Sequence, residues 1–311
     1  MRGWDQLLDG YLAECSSRGL AEATVQKVAR ELERWGRWMK RCRPRPTLDQ
    51  IDASLIVRFI RSRSSFRSNS TVYGTLSTMR GMGEYLVRQG VWQSNPTRWM
   101  RGPKISPYSR LPKRLGGDEL ERLWSAAADC QGVYRRSLWV TVLSLLYGTG
   151  LRRGELSRLQ LEDWDRSEGL LRIDGRKTGW QRQVPVPELT YRCLEAFLPI
   201  RQNQLIRSGH PEHAALLIGM DGRPMSAAKL GVGVHRIAAR AGVKLGGVHQ
   251  LRHTCASDLL EAGVALPEVQ RILGHQAIET TVRYTHIANP QRSAAIALHP
   301  INDWLRAEAR P

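Results

Sequence analysis

The chain has 311 residues, of which 41% are hydrophobic, and this predicts about two globular domains with buried cores rather than a disordered protein. Its formal charge of +18 and its pI near 10.5 favour a polyanionic partner, above all nucleic acid, because each neutralised phosphate releases condensed counterions. No apolar run approaches the roughly 20 residues that span a bilayer, and no signal peptide is recognisable, so we expect a cytoplasmic protein and exclude a membrane protein.

Helical periodicity dominates the first hundred residues. Leu7, Leu8, Tyr11 and Leu12 recur at helical spacing, and a second amphipathic pattern follows over residues 25–38. Further helices are predicted at 54–61 and 71–88. Residues 1–101 therefore read as a small all-helical domain, and residues 1–110 contain 20 Lys and Arg against 9 Asp and Glu. We expect this domain to touch the polyanion.

A basic linker is predicted at residues 102–114, which combine three prolines with four cations, including Lys104, and show little periodicity. Cations interleaved with serines also occur earlier in the chain, within the helical domain. Phosphate contacts are the preferred interpretation of that stretch, and a solvated turn is the alternative. The arginines concerned are Arg58, Arg61, Arg63 and Arg67.

Residues 115–289 are predicted to form a mixed α+β domain. Period-two stretches at 170–173 and 183–186 predict two short strands around a loop, as a hairpin or part of a three-stranded antiparallel sheet. Helical patterns are predicted at 188–206, 226–241, 250–262 and 267–273. An amphipathic tail follows at 290–311. The fold class expected for the whole chain is mainly α, with one small sheet.

Several residues in this second domain have the chemistry of a phosphate site. Arg152 follows Gly150, which is expected to end one helix just before Arg153 begins the next, and Glu155 lies where it can orient the guanidinium. His249 and Arg252 are three residues apart on one predicted helix, hence on one face. A surface Arg152–Glu155 ion pair without function is the alternative interpretation.

Lys177 stands out because this chain uses arginine as its usual cation: it has 40 arginines and 7 lysines. Lysine can release a proton at useful pH and arginine cannot, so Lys177 is a candidate general acid on the loop between the two strands. Trp180 and Arg182 of the same loop are candidate contacts to a nucleic-acid backbone. A lysine left by drift on an exposed turn is the alternative.

Metal binding is the rival interpretation of His249, which with His253 has the i, i+4 spacing of a ligand pair. The pair lacks the glutamate of an H-E-x-x-H motif and a third nearby ligand, so no metal site is predicted. Five scattered cysteines without a C-x-x-C pair predict neither disulfides nor a zinc knuckle.

Short sequence motifs of the second domain resemble those in the catalytic domain of tyrosine recombinases, the phage integrase family. The resemblance covers residues 116–289, and the helical part before it resembles that family's SAM-like core-DNA-binding domain. The matching segments are GLRRGEL at 150–156, RKTGWQRQVPV at 176–186, HQLRHT at 249–254, LGH at 273–275 and RYTH at 283–286.

The resemblance implies a site-specific DNA recombinase, Xer-like or from a mobile element, that cleaves and rejoins strands through a 3′-phosphotyrosyl intermediate. It assigns the nucleophile to Tyr284 and a phosphate hydrogen bond to His275, and with these the catalytic set is Arg152, Lys177, His249, Arg252, His275 and Tyr284. Exchange of one phosphodiester for another is nearly energy-neutral, so no cofactor is expected. Expected partners are double-stranded DNA with specific core sites, a homotetramer in the synapse and a possible accessory or partner recombinase.

Two other functions remain open at this point. A type IB topoisomerase uses similar chemistry but relaxes supercoils without joining two sites, and a non-catalytic DNA-binding regulator can be built on the same fold. The complete set of six residues favours the recombinase. The tail at 290–311 is expected to dock either on a neighbouring protomer or in its own domain.

Overall fold

The computed structural model describes residues 3–64, 69–103, 114–174, 181–210 and 212–274. The chain divides into two compact units, Met1–Ser109 and Arg110–Pro311, and each has a hydrophobic core of its own. Most of the predicted linker lies outside the described residues, as does the predicted tail. The domain limits at 101, 115 and 289 stay predictions.

The regular secondary structure of the first unit's described residues is all helical. The long helix α2 buries Leu32, Trp35 and Met39 on one side, because these positions recur at helical spacing, and the Trp35 ring packs edge-on against Phe59 at 5.0 Å. The predicted helices are therefore confirmed, with ends that differ by a few residues. The helices are α1 (Trp4–Ser17), α2 (Glu22–Arg41), α3 (Ala53–Ser64) and α4 (Asn69–Arg88), with a 3₁₀ turn at Leu48–Gln50.

The second unit is built around helix α6, whose buried residues include Val142, Leu143 and Leu145. An apolar surface on nearly all sides is expected of a central helix, and α5, α8 and α10 all pack on α6. The helices of this unit are α5 (Gly117–Ala128), α6 (Val133–Gly148), α7 (Arg153–Leu156), α8 (Glu188–Arg207), α9 (Ala227–Arg240), α10 (His249–Glu261) and α11 (Leu266–Leu273).

A three-stranded antiparallel sheet of order β1-β2-β3 lies between α7 and α8 in the chain. Its strands are β1 (Trp164–Asp165), β2 (Leu170–Ile173) and β3 (Arg182–Pro185). Leu171 pairs with Val184 and both are buried, whereas the neighbouring pair Arg172 and Gln183 is exposed. This alternation fixes the register, since a slip by one residue would expose the apolar face.

The fold class predicted from the sequence, mainly α with a small antiparallel sheet in the second domain, is confirmed. Strand β1 was not predicted on its own, because two residues cannot show a period. Within the described ranges, no helix is both long and apolar enough to cross a membrane.

Candidate active site

A tight turn between α6 and α7 positions Arg152. Gly150 has φ +62°, a conformation that glycine adopts without strain, and a Cβ atom at this position would lie 2.4 Å from Leu273 Cδ2. Arg152 is the N-cap residue of α7, so its side chain leaves the backbone at the start of the helix, as the sequence predicts. The close approach of Gly150 to Leu273 brings this turn against α11.

The carboxylate of Glu155 holds Arg152 in place. Its Oε1 accepts a hydrogen bond from Arg152 Nη1 at 2.8 Å, and its Oε2 accepts one from the Arg152 backbone N–H at 2.8 Å. Arg182 of β3 binds the same carboxylate, from Nη1 to Oε1 at 3.1 Å and from Nη2 to Oε2 at 2.9 Å. One buried carboxylate thus orients two guanidinium groups.

Glu155 remains ionised in this environment although its side chain is only 6% exposed. Burial raises the pKa of its carboxyl group, but the hydrogen bonds and positive charge of Arg182, together with the hydrogen bonds from Arg152, outweigh burial and lower the pKa to about 2. The carboxylate is therefore a fixed negative charge between two fixed positive charges at any pH near neutrality.

The C-terminal end of α11 gathers three arginine side chains. The last carbonyl groups of a helix have no partners within the helix and carry the negative end of its dipole, so they attract cations. One arginine donates to each of three successive carbonyl oxygens: Arg182 Nε to Ile272 at 2.9 Å, Arg252 Nη2 to Leu273 at 2.5 Å and Arg152 Nη2 to Gly274 at 2.9 Å. The fold thus brings Arg152 and Arg252, far apart in sequence, to one helix end.

Helix α10 supplies His249 and Arg252. His249 is exposed in the first turn, and Arg252, three residues later, is only 4% exposed and also donates from Nη1 to the Gly150 carbonyl at 2.6 Å. Arg252 therefore links the α6–α7 turn to the end of α11. These contacts hold its guanidinium in one position.

The remaining predicted catalytic residues, Lys177, His275 and Tyr284, lie outside the described residues. His275 directly follows Gly274 in the sequence, whose carbonyl receives Arg152. Lys177 lies between β2 and β3 in the sequence and precedes Arg182 by five residues. Among the described residues, no group of three or more His, Cys, Asp or Glu side chains is placed to hold a metal ion.

The predicted nucleic-acid contacts differ in their settings. Arg58 and Arg61 are exposed on α3, and the Arg58 guanidinium lies 5.7 Å from the centre of the Trp38 ring. Arg63 belongs to the same helix, but its side chain is outside the described part of the structure. Arg67, Lys104 and Trp180 lie outside it altogether.

The backbone contact predicted for Arg182 stays a prediction, and the structure adds contacts to the protein that the sequence did not indicate. Its side chain is only 10% exposed, and its Nε, Nη1 and Nη2 atoms all donate to groups of the protein. Arg182 therefore contacts Arg152 indirectly, through the Glu155 carboxylate that both bind. The sequence offers no local signal for this, because its partners Glu155 and Ile272 are 27 and 90 residues away.

Both units match known protein families. Residues 113–291 match the phage integrase family, and residues 8–90 match the phage integrase N-terminal SAM-like domain. Tyrosine recombinase XerC of Pseudomonas fluorescens is 33% identical over 304 residues, which cover 95% of this chain and 96% of that protein. Tyrosine recombinase XerD of Oceanobacillus iheyensis is 30% identical over 272 residues, covering 87% and 89%.

Solved structures share the fold. XerH site-specific recombinase, in a post-cleavage complex with a palindromic difH substrate, aligns with a TM-score of 0.73 at 21% identity and covers 95% of this chain and 84% of that chain. A lambda integrase dimer bound to a COC′ core site aligns with a TM-score of 0.71 at 19% identity, covering 88% and 95%. With matches to both family domains and to curated tyrosine recombinases along almost its whole length, this chain belongs to the phage integrase family.

Proposed function

We propose that this protein is a site-specific DNA recombinase that cleaves and rejoins strands through a 3′-phosphotyrosyl intermediate. The observation that carries the proposal is the meeting of Arg152 and Arg252 on adjacent carbonyl groups at the end of α11, next in sequence to His275. During in-line displacement at a phosphodiester, negative charge develops on the phosphate oxygens. Cationic side chains that are already in place stabilise this charge.

Each residue of the proposed site has one task. The hydroxyl oxygen of Tyr284 attacks the phosphorus atom, its proton passing to His249, and the bond from phosphorus to the 5′ oxygen breaks as Lys177 donates a proton to that oxygen. Arg152, Arg252 and His275 bind the non-bridging oxygens. A 5′ hydroxyl of a partner strand then reverses these steps and joins strands from two sites.

Arg152 is suited to this task in the described structure. Its side chain is 25% exposed, and a guanidinium has five N–H donors, of which the contacts to Glu155 and Gly274 use two. The planar fork matches two phosphate oxygens better than an ammonium group would. Individual charged hydrogen bonds contribute about 1.5–3 kcal/mol, so several such groups must act together.

The proposed assembly is a homotetramer on two double-stranded core sites, with the tail at 290–311 docking between protomers and with an accessory or partner recombinase where direction has to be set. DNA as substrate places the working protein at a bacterial chromosome or a mobile element. Arg58, Arg61, Arg63, Arg67 and Lys104 are proposed to contact the DNA backbone.

Covalent trapping tests the proposed function. The full-length protein is incubated with a supercoiled plasmid library that carries its native flanking DNA, the reaction is stopped with SDS, and DNA attached to protein is sequenced. We expect adducts at a defined site, and none with Tyr284→Phe, which should still bind DNA. Adducts that persist in Tyr284→Phe contradict the proposed nucleophile, and tight binding without any adduct in the wild type favours a regulator.

A further inference from the structure

We propose that Arg182 is a positioning residue for DNA cleavage, which holds the Arg152 guanidinium and the end of α11 through Glu155 and the Ile272 carbonyl group. The inference rests on the proposed function, because it concerns the same site. It gives a role to an arginine whose Nε and Nη atoms donate to groups of the protein.

The first step is the geometry of the Arg182–Glu155 pair. Both Nη atoms of Arg182 donate to the two carboxylate oxygens of Glu155, and both side chains are buried, at 10% and 6% exposure. Two parallel hydrogen bonds from a planar fork fix the plane of the carboxylate as well as its position. With a single-donor partner at position 182, the contacts from Arg152 would carry most of the hold on the carboxylate, and the Arg152 guanidinium would be less firmly placed.

The second step is the charge of the cluster. Arg152 and Glu155 alone would sum to zero, since the low pKa of Glu155 keeps its carboxyl group ionised. Arg182 adds one positive charge, so that the three side chains together carry a net charge of +1 next to the proposed phosphate site. A phosphate group bound to Arg152 would be attracted by this net positive charge.

The third step is the support of α11. Arg182 Nε donates to the Ile272 carbonyl at 2.9 Å. Gly274 has φ +64°, and a Cβ atom there would lie 2.9 Å from both Cδ and Nη1 of Arg182. The end of α11 therefore rests on the Arg182 side chain. Since Gly274 also accepts from Arg152, one arginine of β3 supports both the helix end and the guanidinium bound to it.

A purely structural role would also explain a buried ion pair, so the test needs a signal that stability alone cannot produce. Arg182→Gln and Arg182→Lys in the full-length protein are compared with Arg192→Gln. Arg192 also pairs with a glutamate, Glu188, but on the surface of α8 with its side chain 74% exposed. Urea unfolding of each variant gives the folded fraction under assay conditions.

The substrate is a nicked duplex that contains the site mapped by covalent trapping, so that cleavage accumulates as adduct and gives a single-turnover rate. A second duplex carries an uncharged methylphosphonate at the scissile position. On the ordinary phosphate, we expect Arg182→Gln to slow cleavage about 100-fold, the size of effect that misplacing a catalytic group by about 1 Å produces. The affinity for the duplex should change little, because many phosphate contacts contribute to it.

On the methylphosphonate duplex the defect of Arg182→Gln should shrink to below about 10-fold, since a neutral scissile group depends less on the charge and placement of Arg152. Arg182→Lys, which keeps the charge but not the fork, should be intermediate. Arg192→Gln should cleave like the wild type.

Three results would overturn the inference: wild-type cleavage by both Arg182 variants, equal defects on the two duplexes, or defects that follow only the unfolded fraction. If Arg182→Gln does not fold, the comparison of the two duplexes is made with Arg182→Lys, and the same smaller defect on methylphosphonate is required. A wild-type protein that forms no adduct contradicts the proposed function instead, before any variant is compared.

Discussion

Arg182 donates from both Nη atoms to the carboxylate oxygens of Glu155, at 3.1 and 2.9 Å, although 27 residues separate the two in sequence. This pair joins strand β3 to helix α7, and Arg152 also donates a hydrogen bond to the same carboxylate. The position of the Arg152 guanidinium is thus set by the sheet as well as by helix α7. A movement of β3 should therefore change the position of Arg152.

Glu155 should stabilise the folded protein near neutral pH and lose this effect in acid. A carboxyl group whose pKa is lower in the folded than in the unfolded state adds stability above the unfolded-state pKa, and the gain disappears as the pH falls through the folded-state pKa. With the pKa lowered from 4.5 to about 2, the contribution is about 3 kcal/mol and is lost between about pH 5 and pH 2. Urea unfolding of the wild type and Glu155→Gln across this range measures it.

The gap in unfolding free energy between these two proteins should narrow as the pH falls. Glu188→Gln is the control, because Glu188 is 76% exposed in its pair with Arg192 and should show almost no gap at any pH. A gap for Glu155→Gln that does not change with pH would contradict the proposed origin of the effect.

Glycine is expected to be required at positions 150 and 274 for space as well as for backbone conformation. Gly150, Gly169 and Gly274 all have φ near +60°, so alanine should cost each about 1–2 kcal/mol. A Cβ atom at 150 or 274 would also meet Leu273 or Arg182, whereas no atom of the described residues lies within 4 Å of one at 169. Overpacking should add about 1–3 kcal/mol at the first two positions only.

Thermal and urea unfolding of the three alanine variants measure this difference, with Gly169→Ala as the control for backbone strain. Gly274→Ala should also slow DNA cleavage, because the new methyl group displaces Arg182. Equal losses of stability at all three positions would show that space plays no part.

Arg58 and Arg61 are expected to bind DNA phosphates. Both are exposed and lie three residues apart on α3, hence on one side of the helix. Replacing either by Ala in the Tyr284→Phe background should weaken DNA binding and lower the slope of log affinity against log salt by about 1. Fluorescence anisotropy at several salt concentrations measures the slope. Arg192→Ala should leave it unchanged, and an unchanged slope for the α3 variants would rule out the contact.

DNA cleavage is expected to proceed in EDTA. In the proposed mechanism, cationic side chains meet the charge that develops on the phosphate and Lys177 supplies the proton, so no step depends on a divalent ion. Covalent adduct formation with and without EDTA measures this directly. Strict dependence on Mg²⁺ would count heavily against the mechanism, and Lys177→Ala should slow cleavage under both conditions.

Local patterns were enough for most elements of the fold. The helices have a period of 3.6 residues that recurs in the sequence itself, and β2 shows its period of two. The end of α6, the start of α7 at Arg153 and the pairing of Arg152 with Glu155 were also predictable, because glycine ends helices and residues three apart face each other. Strand β1 was not, since two residues are too few to repeat.

The contacts that assemble the site could not be predicted in this way. Arg152 binds a carbonyl group 122 residues away, Arg252 one that is 102 residues away and Arg182 one that is 90 residues away. The sequence suggested that Arg182 touches DNA, because an arginine in a basic loop looks the same whether it faces solvent or a buried carboxylate.

The sequence by itself determined the mainly helical fold class, the small sheet, the residue types of the proposed site and the family they resemble. Only the tertiary structure decided that three arginines share the end of α11 and that Glu155 joins two of them. The physical reason is that hydrophobic periodicity is recorded residue by residue along the chain. The partner of a buried charge is chosen only when separate segments pack together and leave one carboxylate or one helix end within reach.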